Sequence, residues 1–433
     1  MKGLWVLLWV TLNVLGSIMQ NLSMPLWLNT LNKCGNPFVV YQIACTMFVV
    51  MFGLTVLFLS VFKGNSFWKY LTSLTFKGWG LLFLTGVFDS LNGILVVIAS
   101  PIERTPPIIA STFPNIIFIF MIALIYFLHR KEWLPPPKIK KQSFISHEFV
   151  LFVLTYSMCV YTTIVATNEQ EATADGKVYW WGVFLVGILF GYVYNQIQEI
   201  FFKGHGMFKL DQNLIHAEGP EAAHSCYVTD AEKLTTNNVT NFLLIQVIIQ
   251  ALTGYVFTFT NYIPGVSLSP DETMACQYAD TLEYSFTGMG LLWNLLFSSG
   301  YFIAYIASIG TNVVSTGLTM LMGPLSTTVI IVISYNISIL TPDKDIINVY
   351  FFYPMILCGM LMTLFYSAWY NGTRVNQLTN IRVYFEKFVP DDVLSILDID
   401  YGDSSDKIPL QTPVDHEHLD YGSASNHYSS INH

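Results

Sequence analysis

Apolar residues form long uninterrupted runs separated by short polar segments, and this pattern extends over most of the chain. An α-helix needs about 20 predominantly apolar residues to cross a bilayer. Ten runs meet that length, at residues 4–29, 38–62, 78–99, 106–128, 148–167, 179–202, 241–262, 285–308, 313–337 and 347–370. The pattern predicts an all-α polytopic membrane protein with ten transmembrane helices. Lys2 and the apolar residues after it resemble a signal peptide, but the apolar pattern continues to Leu28, which favours a retained first helix.

Composition supports the membrane assignment. Hydrophobic residues make up 53% of the chain and charged residues only 11%, whereas soluble domains carry about 25% charged residues. The mean hydropathy of +0.49 points the same way. We therefore expect the lipid bilayer as a partner and no nucleic acid, and the sequence leaves the oligomeric state open, with a monomer as the simplest case.

The distribution of Lys and Arg predicts the orientation. With a cytosolic N-terminus, sixteen of the 20 basic residues fall on the cytosolic side. The four on the opposite side are Lys33, Arg104, Lys177 and Lys344. Both termini are therefore predicted to be cytosolic, as is the polar loop 203–240. Residues 371–433 are acidic and lack apolar periodicity, which is typical of a mostly disordered cytosolic tail.

Cysteine and histidine spacing indicates neither a metal site nor a cofactor. The six cysteines contain no CxxC pair, and the histidines of loop 203–240 lack accompanying cysteines. Cys34 and Cys276 both fall on the predicted non-cytosolic side, so the sequence leaves a disulfide between them open.

The segment 89–120 combines an apolar character with the carboxylate of Asp89, two asparagines and four prolines. Lipid disfavours such groups unless they face protein or a water-filled cavity. The segment contains Ile98-Ala99-Ser100 and then Pro114, and the second half contains Ile306-Ala307-Ser308 and then Pro324. The offset of five helices reverses the membrane orientation, so the pattern predicts inverted five-helix repeats at 1–167 and 168–370, with Pro114 and Pro324 as hinges.

Several segments resemble the chloroquine-resistance-transporter-like (CRT-like) family of the drug/metabolite transporter superfamily. The similar segments are Thr30-Leu-Asn-Lys-Cys-Gly-Asn-Pro-Phe, Asp89-Ser-Leu-Asn-Gly-Ile-Leu, residues 105–120, Asn195-Gln-Ile-Gln-Glu-Ile-Phe-Phe-Lys and Met322-Gly-Pro. The resemblance implies the ten-helix inverted-repeat fold, alternating access, and an acidic vacuolar, lysosome-like or plastid membrane. It also implies amino acids, short peptides, thiols or cationic drugs as solutes, with a proton gradient or membrane potential as the driving force.

The chain departs from the family pattern in two places. The loop between the seventh and eighth predicted helices holds one cysteine, Cys276, where the best-known member has four. The eighth predicted helix also lacks that member's mid-helix carboxylate. Proton coupling would therefore depend on fewer acidic residues here.

Polar residues within the predicted helices are the candidates for a transport site. A buried carboxylate costs several kcal/mol unless it is protonated or hydrated, so Asp89 and Glu199 are the candidates for proton coupling. Each carboxylate has an asparagine on its own helix face, and the remaining candidates lie on later helices. The predicted substrate-cavity set is Asp89, Asn92, Asn195, Glu199, Gln246, Gln250 and Asn294. The alternative for each is a hydrogen bond that only joins helices or, for Glu199, an ion pair with Lys203.

Competing functions have weaker support. A membrane-embedded enzyme would need a catalytic constellation, and no intramembrane His, GxSxG, HExxH or aspartate pair is present. A nucleotide-sugar or other metabolite carrier of the same superfamily remains the alternative, although no basic residue lies within a span to bind phosphates. Seven tryptophans near the predicted interfaces indicate aromatic belts: Trp5, Trp9, Trp27, Trp68, Trp79, Trp180 and Trp181.

Overall fold

The structure is a computed structural model that describes part of the chain. Described are residues 2–31, 34–64, 66–101, 104–105, 147–171, 178–203, 207–208, 235–262 and 272–314, with scattered positions in 110–127 and 326–365. The chain divides into a unit Met1–Ile396, to which every described residue belongs, and a unit Leu397–His433. The predicted cytosolic tail 371–433 lies outside the described residues.

Nine α-helices account for most of the described chain. They are α1 (Lys2–Leu28), α2 (Pro37–Lys63), α3 (Phe67–Ser73), α4 (Phe76–Ala99), α5 (His147–Glu171), α6 (Val178–Lys203), α7 (Thr236–Val256), α8 (Met274–Ser285) and α9 (Gly288–Val314). A 3₁₀ helix, Phe257–Tyr262, extends α7. The described part contains no strand, only an isolated bridge between Leu74 and Phe208.

Six of the described helical segments are long and apolar enough to cross a membrane. They are Leu7–Leu28, Pro37–Lys63, Phe76–Ala99, Tyr179–Phe202, Thr236–Asn261 and Gly288–Thr311. The prediction of an all-α, multi-pass membrane protein is therefore confirmed at this level. Helix α5 covers the predicted run 148–167 but is not among the six. Most of the runs 106–128, 313–337 and 347–370 lies outside the described residues, as do Pro114 and Pro324.

Local sequence signals explain where α2 begins and ends. Asn36 precedes Pro37 at the first helical position, and its side chain accepts a hydrogen bond of 2.8 Å from the backbone N–H of Phe38. A polar N-cap followed by proline is a favoured helix start. At the other end, Gly64 adopts φ 65°, the left-handed conformation that glycine tolerates best.

Helix α1 packs along α9, and small residues allow this close approach. A Cβ added to Gly16 would lie 2.6 Å from the carbonyl oxygen of Gly300 and 2.7 Å from the backbone N of Ala304. Association of membrane helices depends on such tight packing, because lipid supplies little hydrophobic drive between helices.

Among the described helices, the pairs α1–α9 and α4–α6 have the most extensive contacts, and α7 packs against both α2 and α4. These helix contacts bury one continuous cluster of aromatic and aliphatic side chains. Phe48 of α2 lies in this cluster and stacks on Tyr301 of α9, with ring centroids 3.5 Å apart. This packing brings the middle of α4 against α7 and α9.

Three of the predicted interfacial tryptophans are buried within the protein instead. Trp27 is 0% exposed and donates from Nε1 to Ser285 Oγ at 3.1 Å. Trp180 and Trp181 are each 6% exposed, while Trp68 is 75% exposed. The belt assignment is therefore wrong for Trp27, Trp180 and Trp181, because their side chains are buried against other parts of the protein. Their position along the helix did not reveal this.

Candidate functional site

A carboxylate is buried near the middle of α4. Asp89 is only 1% exposed and lies well inside the candidate span Phe76–Ala99. The small neighbours Thr85, Gly86 and Ser90 are also buried on this helix, and they let other helices approach closely. A charged group at this depth requires hydrogen-bond partners.

Three donors from two other helices surround the Asp89 carboxylate. Gln246 of α7 donates from Nε2 to Asp89 Oδ2 at 2.9 Å. Tyr301 of α9 lies 3.0 Å from the same oxygen, and Tyr305, one helical turn further on, donates to Oδ1. Hydrogen bonds to a charged acceptor stabilise by about 1.5–3 kcal/mol each. The carboxylate therefore joins α4, α7 and α9.

The Tyr301 hydroxyl has two acceptors and only one proton. It lies 3.0 Å from Asp89 Oδ2 and 2.8 Å from Gln250 Oε1. When Asp89 is ionised, the hydroxyl can donate fully to only one of them. When Asp89 is protonated, its own O–H can donate to Tyr301 while Tyr301 donates to Gln250, so every group is satisfied. The arrangement can therefore exchange hydrogen-bond partners as a proton arrives or leaves.

Further polar side chains extend this network along the bundle. Gln198 of α6 donates from Nε2 to Gln246 Oε1 at 2.7 Å, which fixes the Gln246 amide so that its NH₂ faces Asp89. Beside Asp89, the hydroxyl of Tyr41 donates to Ser90 Oγ at 2.9 Å. Buried networks of this kind make each member's orientation depend on the others. Five helices, α2, α4, α6, α7 and α9, therefore contribute to one polar site.

A cavity of about 110 Å³ adjoins Asp89. It is large enough for several waters, at about 30 Å³ each, and smaller than typical ligand pockets of about 300–1,000 Å³. A solute larger than this space requires the helices to move apart. The polar side chains that line the cavity include Gln20, Tyr41, Asp89, Asn92, Gln250 and Tyr301.

Four of the seven predicted cavity residues lie together at this site. Asp89, Asn92 and Gln250 line the cavity, and Gln246 bonds directly to Asp89. Asn92 also lies against α6, since a Cβ added to Gly191 would be 3.0 Å from its Oδ1. The sequence pattern therefore selected a set of side chains that the fold brings together from α4 and α7.

The other three predicted residues are buried or half-buried elsewhere. Asn195 donates to the carbonyl of Gly191 in its own helix at 2.9 Å, and Glu199 is 4% exposed. Asn294 donates to the Ser285 carbonyl at 3.2 Å and accepts from Ser298 Oγ. These three do not belong to the described lining of the cavity. The Asn294 contacts connect α8 to α9 and match the helix-joining alternative.

Tyr301 and Tyr305 were not among the cavity residues predicted from the sequence, although both bond to Asp89. A usable signal was present, because two tyrosines four residues apart in the middle of an apolar run share one helix face. Tyrosine is otherwise enriched at the membrane interface. Gln198 of α6 was missed as well, and its role depends on Gln246 lying opposite.

A cation lies at the end of α4, next to the cavity. Arg104 is 7% exposed, donates from a guanidinium nitrogen to the Ile98 carbonyl at 2.6 Å, and stacks 4.0 Å above the ring of Trp180. The adjacent Trp181 donates to the Arg104 carbonyl at 3.1 Å. The neighbouring Thr105 lines the cavity. Arg104 thus fixes the chain that borders this end of the site.

A second polar network, the Asn36 network, closes the same end of the bundle. The Asn36 side chain donates to Gln277 Oε1 at 2.5 Å and Asn261 Oδ1 at 3.2 Å, and its backbone N–H donates to Thr281 Oγ1 at 3.1 Å. The loop between α1 and α2 is thereby fastened to α8 and to the end of the 3₁₀ helix.

Cys34 and Cys276 are neighbours beside the Asn36 network, and both are free thiols. Their hydrogen bond, partial burial and the nearby carboxylates of Glu272 and Asp280 raise the pKa of the Cys34 thiol to about 12. The two cysteines for which the sequence left a disulfide open are therefore neighbours in the fold, as free thiols.

Comparisons of the chain with protein-family models, curated proteins and solved structures found no match in any of the three.

Proposed function

We propose that this protein is a secondary active transporter that moves small solutes by alternating access. The observation that carries the proposal is the Asp89 carboxylate, buried in a membrane-length helix, bonded by two other helices and adjoining a cavity. An ionisable group at such a depth is a candidate proton relay or substrate contact. Purely structural joining of helices would not require a carboxylate beside a cavity.

The hydrogen-bond geometry suggests how a proton and a helix movement are coupled. Ionised Asp89 holds Tyr305, Tyr301 and Gln246 around its two oxygens. Protonation removes the charge that these donors stabilise and lets Tyr301 donate fully to Gln250. The contacts from α4 to α7 and α9 therefore weaken in one protonation state and strengthen in the other, as a two-state transporter needs.

The helix pairing supports ten spans arranged as inverted repeats. In the predicted order of ten runs, α1 and α9 are runs one and eight, and α4 and α6 are runs three and six. A shift by five runs converts the pair one–eight into six–three, and these are the two most extensive pairs among the described helices. The same shift converts the α2–α9 contact into the α7–α4 contact, which is also present. Glycines permit close packing in both main pairs, at Gly16 and at Gly187.

The family resemblance supplies the finer part of the proposal. On that basis the protein is a CRT-like member of the drug/metabolite transporter superfamily, with both termini in the cytosol. The solutes are amino acids, short peptides, thiols or related, often cationic, molecules. The membrane is vacuolar or endolysosomal, and the proton gradient or the membrane potential drives transport.

Solute flux into proteoliposomes with an imposed pH gradient tests the proposal. The protein is reconstituted at full length and offered labelled amino acids, dipeptides and glutathione in parallel. We expect gradient-driven uptake of at least one class by the wild type. Asp89→Asn removes the titratable proton and keeps the side chain's size, so uptake should no longer respond to the gradient.

Glu283→Gln is the matched control, because Glu283 is an exposed carboxylate of α8. It should retain gradient-driven uptake. If Asp89→Asn responds to the gradient as the wild type does, the coupling role of Asp89 is wrong. If no solute of these classes enters in any condition, the proposed substrate class is wrong, and phosphorylated metabolites become the next solutes to try.

A further inference from the structure

Two cysteines and a glutamate from distant parts of the sequence meet at the end of the bundle where α1 ends and α8 begins. The two thiol sulfurs of Cys34 and Cys276 and a carboxylate oxygen of Glu272 all lie within 4.8 Å of one another. The cysteines are half-buried and the glutamate is exposed. The three side chains are therefore close enough to touch one ion and accessible to it from solution.

Hydrogen bonds that do not use the three ligand atoms hold these groups close together. Asn36, two residues after Cys34, donates to Gln277, the neighbour of Cys276. Thr273 caps α8 by accepting from the backbone N–H of Cys276 at 3.3 Å. This cap fixes the turn of chain between Glu272 and Cys276. The three side chains are thus positioned by the fold in advance, which lowers the cost of binding an ion between them.

The chemistry of the three groups suits one class of cation. Thiolates and carboxylates are both ligands of Zn²⁺, which binds sulfur at about 2.3 Å and carboxylate oxygen at about 2.0–2.2 Å. Soft thiolates disfavour Mg²⁺ and Ca²⁺, which select oxygen. The carboxylates of Glu272 and Asp280 also place negative charge beside Cys34, which favours a divalent cation.

The position of Glu272 distinguishes a metal site from a disulfide. A disulfide needs only the two sulfurs, so it does not require a carboxylate oxygen within 4.8 Å of both. A metal site needs at least a third ligand. The sequence could not indicate this set, because its members are Cys34 in one loop and Glu272 and Cys276 about 240 residues further on.

We propose that Cys34, Cys276 and Glu272 bind Zn²⁺, with a water molecule or another oxygen ligand completing a tetrahedral site. The ion would fasten the loop between α1 and α2 to α8, at the same end as the Asn36 network. Because α8 leads directly into α9, which bears Tyr301 and Tyr305, bound Zn²⁺ would restrain movement of this end of the bundle. The proposal is independent of the transport activity.

Cobalt(II) titration of the purified full-length protein tests the site. The protein is first treated with a non-thiol reductant and a chelator and then freed of both. We expect one equivalent of cobalt to produce thiolate-to-metal charge-transfer absorption, and Zn²⁺ to abolish it by displacement. Cys34→Ser and Cys276→Ser should each weaken Zn²⁺ binding by at least about tenfold, measured by competition with a chromogenic chelator. Glu272→Gln should weaken binding while keeping the thiolate absorption.

Two matched variants control for unspecific effects. Cys159→Ser removes a thiol of α5, and Glu283→Gln removes an exposed carboxylate of α8; both should bind as the wild type does. Thermal unfolding gives a second readout, because an ion that binds only the folded state raises its unfolding temperature. Zn²⁺ should raise that temperature for the wild type and not for Cys34→Ser.

Three results would overturn the proposal. The first is the absence of thiolate absorption in the reduced wild type, and the second is its persistence at wild-type intensity in both cysteine variants. The third is mass-spectrometric detection of Cys34 and Cys276 joined as a disulfide in the protein as isolated under non-reducing conditions.

Discussion

Tyr305 of α9 donates a hydrogen bond to the carboxylate of Asp89, although 216 positions of sequence separate the two residues. Both side chains are buried, with exposed fractions of 5% for Tyr305 and 1% for Asp89. The contact links the two halves of the chain at the depth of the membrane helices. It therefore makes Asp89 sensitive to the position of α9.

Removing the Tyr305 hydroxyl should destabilise the protein. Tyr305→Phe keeps the ring, which stacks 3.8 Å from the ring of Tyr301, but removes a hydrogen bond to a buried carboxylate. We expect a loss of about 1.5–3 kcal/mol in the free energy of unfolding, measured by denaturant titration in detergent micelles. Tyr161→Phe is the control, because Tyr161 is 65% exposed, and it should change stability by less than about 0.5 kcal/mol. Equal effects of both variants would contradict a bond to a carboxylate.

Adding a methyl group to Gly16 should separate α1 from α9. Its Cβ would lie 2.6 Å from a backbone oxygen of Gly300, and backbone cannot move aside as a side-chain tip can. Gly16→Ala should therefore cost about 1–3 kcal/mol, measured as a lower unfolding temperature. Gly53→Ala in α2 is the matched control, because nothing lies within 4 Å of its added Cβ. A stable Gly16→Ala variant would mean that α1 and α9 are further apart than described.

Replacing Asn36 by alanine should lower the free energy of unfolding by more than the loss of a helix cap alone. Asn36→Ala removes the cap of α2 and leaves the buried amides of Gln277 and Asn261 without this donor. We expect a loss of about 2–4 kcal/mol, measured by denaturant titration. Ser66 caps the short helix α3 at an exposed position, so Ser66→Ala isolates the cap itself and should cost about 1 kcal/mol or less. Similar losses would indicate that the contacts to α8 add nothing.

Replacing Trp180 should loosen the chain at the end of α4. The Arg104 guanidinium lies 4.0 Å from the Trp180 ring centroid in a largely buried setting, where a cation–π contact stabilises by about 2 kcal/mol. Trp180→Leu should therefore lower stability by at least about 2 kcal/mol, since it also removes packing. Trp68→Leu is the control, because Trp68 is 75% exposed and should tolerate the change in detergent. Trypsin cleavage after Arg104 in the folded protein should increase only in the Trp180 variant. A packing defect that leaves the segment around Arg104 in place would not increase this cleavage.

Hydropathy along the chain was sufficient to locate the six membrane-length helices, because the length needed to span lipid is a local property of the sequence. Their ends also followed local rules, as Asn36-Pro37 and Gly64 illustrate for α2. The same reasoning selected Asp89, because a carboxylate inside an apolar run is costly wherever its helix lies.

Which side chains meet at that depth depends on how the helices pack against one another. Gln246 and Tyr305 reach Asp89 across 157 and 216 positions of the sequence, and no local pattern encodes which helix faces α4. The same limit applied to Trp27. Its position near a helix end predicted a place at the membrane interface, but packing against other helices buries it. It applied again to Cys34, Cys276 and Glu272, whose proximity depends on the loop after α1 being fastened to α8. Helix formation is local, whereas a site built between helices depends on how they pack.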